Sequence, residues 1–123
     1  MPSDALSALS DIERHIDLAS HFVDGFDYQG FLNDTRTVFA VTRCLEIISE
    51  ATRRLPDESK ARYPTIPWKD IAGAGNVYRH DYEDVAAKMV WDTVQLALSP
   101  LRGVVVQEIE RLFSAPDEAG SGA

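Results

Sequence analysis

Apolar residues recur every three or four positions along almost the whole chain, and this period limits the possible folds more than any other feature of the sequence. Leu9, Ile12, Ile16, Ala19 and Val23 form one stripe of a helix over residues 4–23. Val38, Val41, Leu45, Ile48, Thr52 and Leu55 form a longer stripe over 31–55. Pro56 closes that helix, because proline has no N–H to donate and clashes with the preceding turn. Between the two, Gly25 is a stop and "DGFDYQG" reads as a turn. Residues 57–66 read as a linker with one helical turn, extended around Pro64 and Pro67. A helix follows from Trp68 to about His80. The next, capped by Asp84, runs from Val85 to Ser99 on Ala86, Val90, Val94 and Ala97. Pro100 is expected to separate it from a last helix carrying Leu101, Val105, Ile109 and Leu112. No segment has a convincing period of two. The expectation is an all-α, up-and-down bundle of four long helices plus short helical pieces. It forms one domain over 1–113, with a flexible C-terminal tail over 114–123.

Composition narrows the function. With 123 residues, 45% of them hydrophobic, the chain has enough apolar material for one core. The net charge of −8 argues against a free binder of duplex DNA, which would normally be basic. It leaves open RNA held in a local basic cleft, or a basic protein partner. The single cysteine, Cys44, excludes an internal disulfide and a metal site built on Cys pairs, and it fits a reducing compartment. No run of ~18 apolar residues is present to span a bilayer. The start, "MPSDALSALSDIERH", has neither a basic leader nor a long apolar run. The expected location is the cytoplasm.

The stretch "GAGNVYRHDYEDV", Gly73 to Val85, concentrates the chemistry. At about 100° per residue, Arg79 falls in line with Trp68, Ile71 and Gly75, at the centre of the apolar stripe and one turn below Gly75. Asn76 and His80 lie together on its flank. A guanidinium aimed into a core costs roughly several kcal/mol unless it is paired. Glu46 and Glu50, which share a face with Arg43 opposite the apolar stripe of the 31–55 helix, are the candidate partners. Gly75 would leave space into which Arg79 could fold back. The other reading is that Arg79 and His80 simply complement the dipole at a helix C-terminus. His80 has no second His or Cys nearby, so no metal site is expected, and no cofactor.

The stretches "RCLEIISEATRRLP" (43–56), "YPTIPWKDIAGAGN" (63–76), "HDY" (80–82) and "VWDTV" (90–94) carry a resemblance. In this order and spacing the chain, over about residues 5–113, resembles the HepT family of small toxins in the HEPN superfamily of all-α proteins. The resemblance implies a homodimer with an Arg-x4-His-x-Tyr motif in a cleft at the dimer interface, cleaving RNA without metal. It also implies a partner, an MntA-like minimal nucleotidyltransferase antitoxin that transfers AMP to the motif tyrosine. Carried onto this sequence, the histidine is His80 and the tyrosine Tyr82. The motif arginine would fall at position 75, which is Gly75 here. Arg79, on the same face, is the candidate replacement, with Asn76 beside His80 and with Arg43, Glu46 and Glu50 as orienting groups. The alternative is a catalytically inactive module that only binds the nucleotidyltransferase.

Overall fold

The computed structural model describes the backbone of residues 2–80 and 83–114 and the side chains of residues 4–75 and 86–114. Among the described residues there are seven helices and no strand: α1 (Pro2–Val23), α2 (Tyr28–Asn33), α3 (Thr35–Arg53), α4 (Asp57–Ala61), α5 (Trp68–His80), α6 (Glu83–Leu96) and α7 (Leu98–Ser114). The expected all-α bundle is what forms. α1 and α3 pack side by side, α7 lies against α1, and α5 lies against α3. α6 touches α7, α3 and α5, and so closes the bundle. No described helix is long and apolar enough to cross a membrane.

The two long stripes make the core. Leu9, Ile12, Ile16, Ala19 and Val23 of α1 are buried, as are Val38, Val41, Leu45, Ile48 and Thr52 of α3 and Leu55 just after it. Val90, Leu101 and Val105 complete it from α6 and α7. Such burial, at roughly 1.5–3 kcal/mol per large aliphatic side chain, is what holds the helices together. α1 ends where Gly25 turns the chain at a φ of 84°, a conformation that favours glycine.

Several helix ends differ from expectation, among them those of α6, which runs from Glu83 to Leu96 rather than from Val85 to Ser99, so that Asp84 lies within it and does not cap it. The helix expected over 31–55 starts only at Thr35, because Asp34 accepts from the Thr37 amide at 3.0 Å and caps α3. The Thr37 bond also holds the Asp34 carboxyl below the usual carboxylate range. The segment read as a turn contains the start of α2: Asp27 accepts from the Gly30 amide at 2.7 Å. α2 buries Phe31 completely, against the Trp91 ring at 5.2 Å. Pro100 does not separate two helices but sits in the first turn of α7, where its missing N–H would have no partner anyway. The break from α6 is the single residue Ala97. Beyond Ser114 the expected tail lies outside the described residues.

One buried charge cluster ties the linker to α7. Glu108 is 1% exposed. It accepts from Arg62 Nη2 at 2.6 Å and Nε at 3.2 Å, from Tyr63 Oη at 2.9 Å, and from Arg111 Nε and Nη2 at 3.1 Å each. A buried carboxylate left unpaired would cost several kcal/mol, so the two guanidinium groups and the phenol are a condition of its burial.

Candidate active site

α5 is held at two places along its length. Its first residue, Trp68, donates its indole N–H to the Lys60 and Tyr63 carbonyls, both at 3.1 Å. Pro67 precedes it and accepts from the Ile71 amide at 3.1 Å, closing the first turn. In mid-helix, Ser49 of α3 donates to the Ala72 carbonyl at 2.8 Å and accepts from the Gly75 amide at 3.3 Å. Arg53 of α3 donates to the same Ala72 carbonyl at 2.6 Å. Moving from 72 to 75 on α5 therefore corresponds to moving from 53 to 49 on α3, and the two helices run antiparallel.

Gly75 is buried in this contact. A Cβ built there would lie 3.1 Å from Ser49 Oγ and 3.4 Å from Ser49 Cβ. The space beside Gly75, expected to receive Arg79, is taken by Ser49. The glycine's physical role is a close approach of two helices. Ser49 and Arg53 were not singled out in the sequence. The available signal was a serine on the buried stripe of one helix facing an interior glycine of another.

The orienting groups separate into two environments. Glu46 has a side chain 20% exposed, with Arg43 Nη1 at 3.7 Å. Glu50 is 66% exposed and faces Arg54 at 3.9 Å. The Arg54–Glu50 pair is a weak surface pair, of roughly 0.3–0.5 kcal/mol for helical neighbours. The side chains of Asn76, Arg79 and His80, and all of Tyr82, lie outside the described residues. Among the described residues no three His, Cys, Asp or Glu side chains are grouped to hold a metal ion. Cys44 is buried, and burial pushes its thiol up. Between α3, α5, α6 and α7 lies an apolar cavity of 250 Å³, lined by Ile48, Ile71, Ala74, Met89, Leu98 and Leu101 among others.

The sequence profile of the family described as "Ribonuclease HepT-like" matches residues 12–108. The chain belongs to the HepT-like ribonuclease family. Its relatives include "Putative RNase MJ0125" of Methanocaldococcus jannaschii, 32% identical over 119 residues, which are 96% of this chain and 99% of that protein. "Probable ribonuclease HepT" of Thermococcus cleftensis is 37% identical over 95 residues, 77% of this chain and 86% of that protein. No solved structure matches the chain significantly. The HepT-like match runs from within α1 to within α7, so it covers the α3–α5 contact and the whole of α5.

Proposed function

We propose that this HepT-like chain is the toxin of a toxin–antitoxin pair. In this reading it is a cytoplasmic, metal-independent endoribonuclease that works as a homodimer. A neighbouring MntA-like nucleotidyltransferase neutralises it by transferring AMP to Tyr82. The family membership supports the ribonuclease class. The Gly75–Ser49 contact carries the residue-level reading. Position 75, where the family motif has arginine, is closely packed against Ser49, so an active site here would draw its guanidinium from another residue.

Arg79 is that source. The antiparallel register supports it: one turn past Gly75 on α5 corresponds to one turn before Ser49 on α3, the level of Leu45 and Glu46. Of the two candidate carboxylates, Glu46 is on that turn and largely sheltered, whereas Glu50 is a turn away and exposed. Glu46 orients the guanidinium, with Arg43 beside it. Arg79 then clamps the scissile phosphate and stabilises the charge that builds on it. The ribose 2′-OH attacks phosphorus, one His80 takes its proton, and the partner copy's equivalent imidazole protonates the leaving 5′-oxygen. A histidine, with an ordinary pKa of about 6.5, suits both proton transfers near neutral pH. Asn76, one turn before His80, orients the ring or the substrate. AMP on Tyr82 would add a bulky anion at the mouth of the cleft and repel RNA phosphates. Phe39, 62% exposed on α3 and in line with Arg43 and Glu46, supports a second copy docking beside the site.

Cleavage of a single-stranded oligoribonucleotide by wild type, Arg79→Ala and His80→Ala tests the reading. Both variants are expected to lose about 10²-fold or more in kcat. Unchanged activity in Arg79→Ala would end the relocation of the arginine. One observation favours the second reading, an inactive module that binds the nucleotidyltransferase: the family's arginine position is glycine and closely packed. An inactive wild type that still gains AMP on Tyr82 when expressed with the neighbouring gene product would select it.

A further inference from the structure

We propose that Glu108 is a positioning residue for the α5 site, acting at a distance by fixing the linker segment on which Trp68 is hung. The proposal rests on the ribonuclease reading for its activity readout, though not for its structural one.

Three links join Glu108 to the start of α5. The carboxylate binds Arg62 and Tyr63, neighbours in the linker. The Tyr63 carbonyl, together with that of Lys60, receives the Trp68 indole N–H. Trp68 is the first residue of α5. Arg111, one turn further along α7, donates to the same two carboxylate oxygens and holds Glu108 in place on its own helix. These bonds are directional, so they define where the linker sits as well as whether it sits there.

The middle of α5 is a fulcrum. At Gly75 the helix meets α3 with no side chain of its own, resting on the Ser49 hydroxyl. Among α3, α6 and α7, the 250 Å³ cavity leaves the Ile71–Ala74 stretch of α5 without close packing on one side. Trp68 lies seven residues before the fulcrum and His80 five after it, arms of about 10 Å and 8 Å at 1.5 Å per residue. A 1 Å displacement at Trp68 becomes about 0.7 Å at position 80. Misplacement near 1 Å at a reacting group costs on the order of 10²-fold in rate. Stability alone does not call for an ion cluster here, since well-packed apolar residues in place of a buried ion pair often serve as well or better.

The test uses full-length protein in a Trp91→Phe background, which leaves Trp68 as the only one of the chain's two tryptophans. Two variants are compared: Glu108→Gln, and the apolar set Arg62→Leu, Glu108→Met, Arg111→Leu. The readouts are Tm, Trp68 emission, and kcat and KM on a fluorophore-quenched single-stranded oligoribonucleotide. Glu108→Gln is expected to shift Trp68 emission and lower kcat about tenfold or more, with KM within about twofold. The apolar set is expected to recover Tm while emission and kcat stay altered. Recovery of emission and kcat together with Tm would reduce Glu108 to a stabilising group and overturn the proposal. So would Glu108→Gln with wild-type emission and kcat. If the wild type cleaves no RNA, the ribonuclease reading fails, and Trp68 emission in the apolar set decides the positioning role alone.

Discussion

At Gly75 two effects of similar size oppose each other. A glycine inside a helix costs about 1 kcal/mol against alanine. An added methyl would stand 3.1 Å from a Ser49 hydroxyl that is held by the Ala72 carbonyl and the Gly75 amide. Forcing atoms into such a contact costs roughly 1–3 kcal/mol. Gly75→Ala is therefore expected to lose about 1 kcal/mol in a urea titration. In a Ser49→Ala background the hydroxyl is gone, and the same change should become neutral or stabilising. A double-mutant cycle reads that reversal directly. Gly75→Arg should be worse than Gly75→Ala, because it brings a charge as well as bulk into the same contact. The glycine was legible in the sequence as an anomaly. Its partner was not, since nothing in "EIISEATRR" says that Ser49, rather than a neighbour, faces α5.

Among the elements, the linker and α7 share one electrostatic dependence. Burial pushes the Glu108 carboxyl up, but hydrogen bonds from Arg62, Arg111 and Tyr63 outweigh it and bring it from 4.5 down to about 2. Burial first, and then the bond to Glu108, pushes the Tyr63 phenol up. A carboxylate whose folded pKa is depressed stabilises the fold fully above its unfolded value and loses that contribution as pH falls through its folded one. Denaturant titrations from about pH 5 to 2 should lose on the order of 3 kcal/mol to this group, and Glu108→Gln should lack that part of the slope. The helices themselves were largely readable, because a buried face imposes its period on the sequence. α1 and α3 follow that period closely. α2 was missed because its cap, Asp27, is the kind of residue that also makes turns, and only the Gly30 amide distinguishes the two. The role of Pro100 was misread because a proline ends one helix and begins another equally well. The Glu108 cluster was invisible because Arg62 and Glu108 are 46 positions apart, with no local pattern linking them.

For the whole molecule, the proposed function asks a chain of net charge −8 to hold RNA, which requires its positive groups to be confined to one place that a second copy would enclose. Sedimentation of the wild type is expected to give twice the 13.7 kDa of one chain. Phe39→Asp, which puts a carboxylate on the exposed α3 face, should shift the protein toward the single-chain mass and lower RNA cleavage at the same protein concentration. A wild type that sediments at 13.7 kDa would remove the shared cleft. The location of Glu108 also bears on the order of assembly during synthesis. It follows α1 to α6 in the chain, so it is among the last parts of the fold to be translated. The nascent polypeptide can pair α1 with α3, and seat α5 against them, before α7 has been translated far enough to supply its carboxylate. Until then Arg62 and Tyr63 lack their carboxylate partner. A growing chain would thus complete its core and gain the anchor for the linker in one late step, when Leu101, Val105 and Glu108 arrive together on α7.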